Sequence, residues 1–340
     1  GYNALAYGLV ASSAGDVESA QKYAAQAKRL LDNKELTEML SAHAAHLSGD
    51  KNAALEYFNS LSERKNTKFH GQLGLMRLAI ESNNHDEALN RARIASNIQP
   101  RNPKLNSMLV MMEAKHKNYE KSIEALQKAR RIGSIEETRA QQLAASLYTK
   151  IGLKKLEENE LNEAEKSLSL ALREKTDFIP AVIALSKIFI GKENQRKALS
   201  LLSKTWKVQP HPEIAKTLKL IWKNERSSSN IANLINLTDD NAKAQARYII
   251  ADEAISAGLT GEAKDQLNKV LSEEYNATYY QLKSRLAYKS DDKTTSNQEL
   301  EKALNAPPSQ RWGCSSCGIT AETWEIRCNN CDKIGTLNWI

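Results

Sequence analysis

The 340 residues carry 48 Lys and Arg against 41 Asp and Glu, a net charge of +7, with only 14 Gly, 7 Pro and 6% aromatic residues. Such a composition favours helices joined by many small contacts, and no run of about 18 apolar residues is present to span a bilayer. The positive charge permits contact with nucleic acid or anionic head groups, but basic and acidic residues alternate rather than cluster, so nucleic acid is not an expected partner.

The chain opens at Gly1, inside an apolar helical pattern and without a signal peptide, so further residues are expected to precede it. From there a repeat runs through the sequence. Ala20, Ala54, Ala88 and Ser122 recur every 34 residues, and the turn ahead of each keeps step: Gly15-Asp16, Gly49-Asp50, Asn83-Asn84, Lys117-Asn118. After eight inserted residues the phase resumes at Ala164 and Ala198, 34 apart. A period of 34 with helix–turn–helix content is that of the tetratricopeptide repeat. Each unit needs two amphipathic helices, a residue able to take positive φ at the turn (Gly15, Gly49), a cap for the second helix (Asp16, Asp50, Asn84) and a small residue where the helices cross. Pro100 and Pro210 then end the second helix.

The spacing predicts units over 1–34, 35–68, 69–102, 103–136, 145–178 and 179–212, with Gly133 to Glu137 as a lengthened helix or loop. Over 213–306 the repeats degenerate. Ser227-Ser228-Ser229-Asn230 reads as a loop, Ala232 keeps the 34-residue step in polar surroundings, and further units fit 243–274 (turn at Gly258, anchor Ala263) and 277–306, with an exposed turn between Ser290 and Ser296. Ala306-Pro307-Pro308-Ser309 links to a last module over 307–340. The expected fold is all-α, a tetratricopeptide-type α-solenoid with a small C-terminal four-cysteine module of zinc-ribbon or rubredoxin-like kind.

Solenoids of this type hold partners on the concave face lined by the first helix of each unit. The inward positions give Tyr2, Leu5 and Leu9, then Met39, His43 and His46, then His70, Leu73 and Arg77, then Lys104, Met111 and Lys115, and later Lys187. That mixed apolar and basic face suits an acidic amphipathic peptide or an acidic amphiphile. His43 and His46 stand one turn apart and could share a ligand with His70, haem or a metal being the sharp reading and plain surface histidines the bland one. Trp206, Trp222 and Tyr279-Tyr280 read as packing. No phosphate loop, nucleophile elbow or His-Glu-x-x-His occurs, so catalysis is not expected.

All four cysteines lie at the end, as Cys314-Ser315-Ser316-Cys317 and Cys328-Asn329-Asn330-Cys331, with ten residues between the pairs. Two such pairs can close a tetrahedral thiolate site. Zn²⁺ and iron both accept it, and iron would make the module redox-active. Neither pair is followed by His, which excludes a c-type haem. Disulfides are the lesser alternative, because nothing else looks secreted, and reduced thiols point to a cytosolic setting. A module of about 30 residues cannot bury enough apolar surface on its own. Metal binding would supply its folding free energy, on the order of 10 kcal/mol or more. With four protein ligands the shell is closed, so the metal is structural. Gly318 can take the positive φ that aims N–H groups at sulfur, and Trp312, Trp324 and Trp339 could cover the site or pack it against the last helices.

In Gly1-Tyr2-Asn3-Ala4-Leu5 with Ala14-Gly15-Asp16, Leu40 through Gly49-Asp50, Trp206 through Pro210-His211-Pro212, and Ala306-Pro307-Pro308 with the tail Gly335-Thr336-Leu337-Asn338-Trp339, nearly the whole chain resembles the HemY proteins of haem biosynthesis, alphaproteobacterial type. The resemblance implies a scaffold beside haem-pathway enzymes, without catalysis of its own. It also implies tethering by an N-terminal segment to a bacterial inner membrane, with the soluble part on the cytoplasmic face. The cysteine quartet departs from that family. The architecture is also similar to LapB-type regulators of lipopolysaccharide assembly, which end in a rubredoxin-like module close to Cys317-Gly318-Ile319-Thr320-Ala321 and the second pair; this implies an adaptor acting through a membrane protease.

Overall fold

The computed structural model describes residues 1–223 and 225–340. Among the described residues it is all-α and of tetratricopeptide type apart from a three-stranded sheet at the end. Its helices divide into two compact units, Gly1–Glu137 and Thr138–Ile340.

The first unit holds four helical hairpins: α1 (Tyr2–Ala14) with α2 (Val17–Leu30), α3 (Lys34–Leu47) with α4 (Lys51–Glu63), α5 (Lys68–Glu81) with α6 (His85–Ile98), and α7 (Pro103–Lys115) with α8 (Tyr119–Arg131). Gly15 and Gly49 sit at φ 77° and 78°, and the same turn position is left-handed at Asn83 and Lys117 without a glycine. Asp16, Asp50 and Asn84 then cap the second helix, each accepting from the backbone N–H three residues on. The anchors Ala20, Ala54 and Ala88 are wholly buried. Ser122 takes the fourth anchor place, its hydroxyl donating to the Val110 carbonyl at 2.7 Å across the hairpin, so a polar atom stays matched where the helices cross.

The second unit contains α9 (Glu137–Glu157) with α10 (Leu161–Glu174), α11 (Ile179–Gly191) with α12 (Gln195–Val208), α13 (Pro212–Ile221) with α14 (Ser227–Asn236), α15 (Ala244–Ser256) with α16 (Thr260–Asn268), and α17 (Ala277–Lys289) with α18 (Lys293–Asn305). Pro103 and Pro212 each occupy the first turn of the helix they open, where the missing N–H costs nothing. Trp206 and Tyr248 are buried with Tyr279 in one continuous core, and Trp222 packs against it.

The structure corrects the sequence reading at several points. The inserted residues lengthen the first helix of the fifth unit, so that unit begins at Glu137 and not at 145. Ser227 to Asn230 are the first turn of α14, not a loop; small hydroxyl side chains suit a helix start, and Ile231 and Leu234 behind them are buried. Ala232 is exposed and is no anchor. The exposed turn ends at Asp292, which caps α18 by accepting from Thr295 N–H, so Ser296 is helical and buried against Ser284. The unit at 243–274, with Gly258 at φ 79° and Ala263 wholly buried, has the expected form.

Candidate metal centre and the face it covers

The terminal module is a sheet of order β2-β1-β3, with β1 (Trp312–Cys314) antiparallel to both β2 (Thr320–Ala321) and β3 (Leu337–Trp339). Two matching knuckles hang from it. Cys314 N–H donates to Ile319 O and Gly318 N–H to Cys314 O, both at 2.9 Å; Cys328 N–H donates to Lys333 O and Asp332 N–H to Cys328 O at the same distance. The residue after each pair is left-handed, Gly318 at φ 75° and Asp332 at φ 59°.

This pseudo-symmetry brings all four Sγ atoms within 4.8 Å of one another. Cys314 lies 3.7 Å from Cys331, and Cys317 lies 3.7 Å from Cys328. A thiolate tetrahedron with Zn–S bonds of about 2.3 Å has edges of about 3.8 Å, so the four thiols can hold a metal ion, and none is in a disulfide. Burial pushes the Cys314 thiol up, but Thr336 and the N–H groups of Ser316 and Cys317 outweigh it and bring the pKa down to about 6. Asn330 and the Ile319 N–H hold Cys317 low as well. The Lys333 N–H favours the Cys331 thiolate, yet burial and the neighbouring sulfurs push that thiol up to about 11. Sulfurs this close do not all ionise unless a cation sits among them.

The cysteine- and tryptophan-bearing part of the module packs on α9, α11 and the start of α13, while its first residues meet α17, where Ala277 N–H donates to Pro307 O at 2.8 Å. Arg139 of α9 donates to the carbonyls of Ile334 and Gly335. Gly335 comes so close that a Cβ there would stand 3.0 Å from Leu143 Cδ2, and its φ is 61°. Lys150 pairs with Glu325 at 2.9 Å. Phe178 meets the Trp324 ring edge-on, and His211 lies against Trp312 and Trp339. Ile179, Trp312, Cys314, Cys328 and Leu337 form one apolar cluster. All of these helix residues belong to, or directly precede, first helices of their hairpins. In this unit the face expected to be free for partners is partly covered by the chain's own C-terminus.

On the first unit the expected groove residues divide. His43 and His70 meet at 4.8 Å between ring centroids, beside Phe58. Burial, then His70, Arg77 and His46, lower the His43 pKa to about 4, and burial and Arg77 lower that of His70. His46 turns away to Glu81, Nε2 to Oε1 2.8 Å, so the three histidines do not converge. Arg77, Lys104 and Lys115 are exposed on α5 and α7, and Lys187 is exposed on α11 of the second unit.

No family model matches the chain, and no curated protein does. Among solved structures it is similar to a tetratricopeptide repeat protein from Parabacteroides merdae, at 16% identity and a TM-score of 0.33, covering 70% of this chain and 93% of that one. YrrB, described as a tetratricopeptide protein with an unusual peptide-binding site, is similar at 19% identity and a TM-score of 0.32, covering 56% and 96%. Yeast Tom70 is similar at 13% identity and a TM-score of 0.34, covering 80% and 69%. The fold assignment here rests on the hairpin geometry itself.

Four residues around the metal centre escaped sequence reasoning: Thr336, Asn330, Asp332 and Arg139. Asp332 carried a signal, since it follows its cysteine pair as Gly318 follows the other. Among the described residues no helix is long and apolar enough to cross a membrane.

Proposed function

We propose that this chain is a non-catalytic scaffold that holds partner proteins on the first-helix face of its repeats and uses a structural Zn²⁺ to keep its C-terminal module folded. The observation that carries the reading is the contrast between the two units. On the second, the face is partly closed by a module with a four-thiol cluster; on the first, the same face carries exposed Tyr2, Leu9, Arg77, Lys104 and Lys115. Apolar side chains interleaved with cations suit an acidic amphipathic segment. The test is binding of such a peptide, followed by fluorescence anisotropy, to the wild type and to an Arg77→Glu, Lys104→Glu variant. Loss of binding on charge reversal supports the reading, and binding that ignores both charges and salt sinks it.

The finer reading from the HemY resemblance is a membrane-tethered scaffold for haem-pathway enzymes at the cytoplasmic face. Direct haem carriage by His43, His46 and His70 would show as a Soret shift on titration, and no shift leaves only the protein scaffold. The docked four-thiol module favours the LapB-like reading as a second, an adaptor in lipopolysaccharide control. Capture of a membrane protease rather than ferrochelatase-type enzymes would decide for it.

A further inference from the structure

Within each unit, successive hairpins meet through the same two faces. On the second helix, the residue one turn after the anchor is covered: Ala24, Phe58, Ala92, Leu168 and Leu202 are each 6% exposed or less. The next hairpin's first helix supplies cover there, since a Cβ on Gly74 of α5 would run into the Phe58 ring. The α18 helix breaks this rule. Its anchor is Ser296, bonded to Ser284 of α17, as Ser122 is bonded to Val110 of α7. One turn on, Leu300 is 47% exposed, and Leu304 beyond it is 85% exposed. The chain runs on past α18, but it turns back at Pro307, whose carbonyl accepts from Ala277 N–H, and only strands follow.

The α1 helix shows the opposite half of such a junction. Tyr7 is 59% exposed, whereas its counterparts Ser41, Leu75, Leu109 and Leu185 in later first helices are 8% or less. Ala6 and Val10 beside it are also exposed. Their counterparts in α3 are Leu40 and Ala44, both buried, and Leu40 seats on the preceding hairpin: a Cβ on Gly8 would stand 2.6 Å from Leu40 Cδ2. No charged residue occurs in α1. Over α17 and α18 lies an open hollow of about 570 Å³, lined in part by Ser284, Tyr288, Ser296 and Leu300. Ser284 holds in its hairpin the place that Gly8 holds in the first, the place on which a following first helix lands.

We propose that α1 of one copy of this chain docks on α17 and α18 of a second copy, repeating between molecules the junction that joins hairpins within one. A second copy is the occupant because one molecule carries both halves. The hollow has the form that first helices fill elsewhere in the fold, and α1 is a first helix whose docking face is open. A lipid surface would account for Tyr7 and Val10 but not for Leu300 beside the hollow. The two faces differ, so the contact is heterologous, and copies add head to tail or close into a ring. It uses neither the groove of the first unit nor the metal centre, so it stands or falls apart from the scaffold reading.

The experiment measures the mass of the intact chain by sedimentation across a concentration series. The mass should rise with concentration and keep rising in high salt, because an apolar contact is not screened. Ala6→Glu, Val10→Glu spoils one face, and Leu300→Glu, Leu304→Glu spoils the other; all four side chains are exposed, so helicity should be unchanged. Each variant alone should associate on the order of a hundredfold more weakly, since an unpaired charge is costly to bury. Mixed in equal amounts, the two variants should form a dimer, because one brings an intact α1 and the other an intact α18. A wild type that stays at the mass of one chain up to roughly 100 µM would overturn the proposal. So would a variant that associates alone as the wild type does, the result expected if like faces pair, or a mixture that stays monomeric. Association that high salt abolishes would overturn it as well.

Discussion

At the scale of single residues, the turn between helices shows how much a backbone angle contributes. Gly49 holds φ 78°, and a Cβ built on it touches nothing within 4 Å. Gly49→Ala therefore adds no clash, and its whole effect is the left-handed backbone, a loss of about 1 kcal/mol that equilibrium urea unfolding should resolve. Lys117 and Glu193 already occupy the same conformation at φ 60° and 58°, so there the glycine substitution should stabilise instead, in part offset by its greater chain entropy. His43 supplies a pH effect with a definite sign. Its pKa is about 4 in the fold against an ordinary 6.5. Between these values the unfolded chain binds the extra proton, so stability is full above about pH 6.5 and falls as the pH drops towards 4. His43→Gln should flatten that fall, seen as a smaller difference between urea midpoints at pH 7 and pH 5. An unchanged difference would mean that other groups carry the acid sensitivity.

Among elements, the hairpins were legible in the sequence because each depends on local chemistry repeated at one spacing: a left-handed turn, an Asx cap, a small anchor. Cysteine spacing made the metal knuckles legible for the same reason. The docking of the module was hidden, because it depends on contacts such as Arg139 with Gly335 and His211 with Trp339, which no short-range pattern encodes. Ala232 misled for a related reason: it keeps the period, but α14 buries Ile231 and Leu234 instead, as packing overrode phase. Arg139 is the element-scale test. Arg139→Met keeps the aliphatic stem and leaves the Ile334 and Gly335 carbonyls without their donor, a cost of about 2 kcal/mol. The expected result is faster amide exchange across 312–340 with the metal still bound in equal amount. Loss of the metal as well would mean that docking and ligation form one cooperative step.

For the whole molecule, the question is how far the metal's influence reaches. The module has few apolar residues, and its buried ones pack on helix residues as well as on each other, so the ligated knuckles must hold a surface that α9 and α11 also need covered. Three of the five tryptophans lie in this module, which makes indole emission a direct reporter. Elemental analysis should find one metal ion per chain. Removing it with a strong chelator, or changing Cys328 to Ser, should expose Trp312, Trp324 and Trp339 and shift their emission to the red. The melting transition of the second unit should fall, because Ile179 and its neighbours lose their cover. The first unit, Gly1–Glu137, shares none of the ligands and none of the module's docking residues named above, so its transition should stay where it is, and a heat scan should separate into two steps. If both transitions move together, the two units unfold as one, and the metal centre stabilises the entire repeat array.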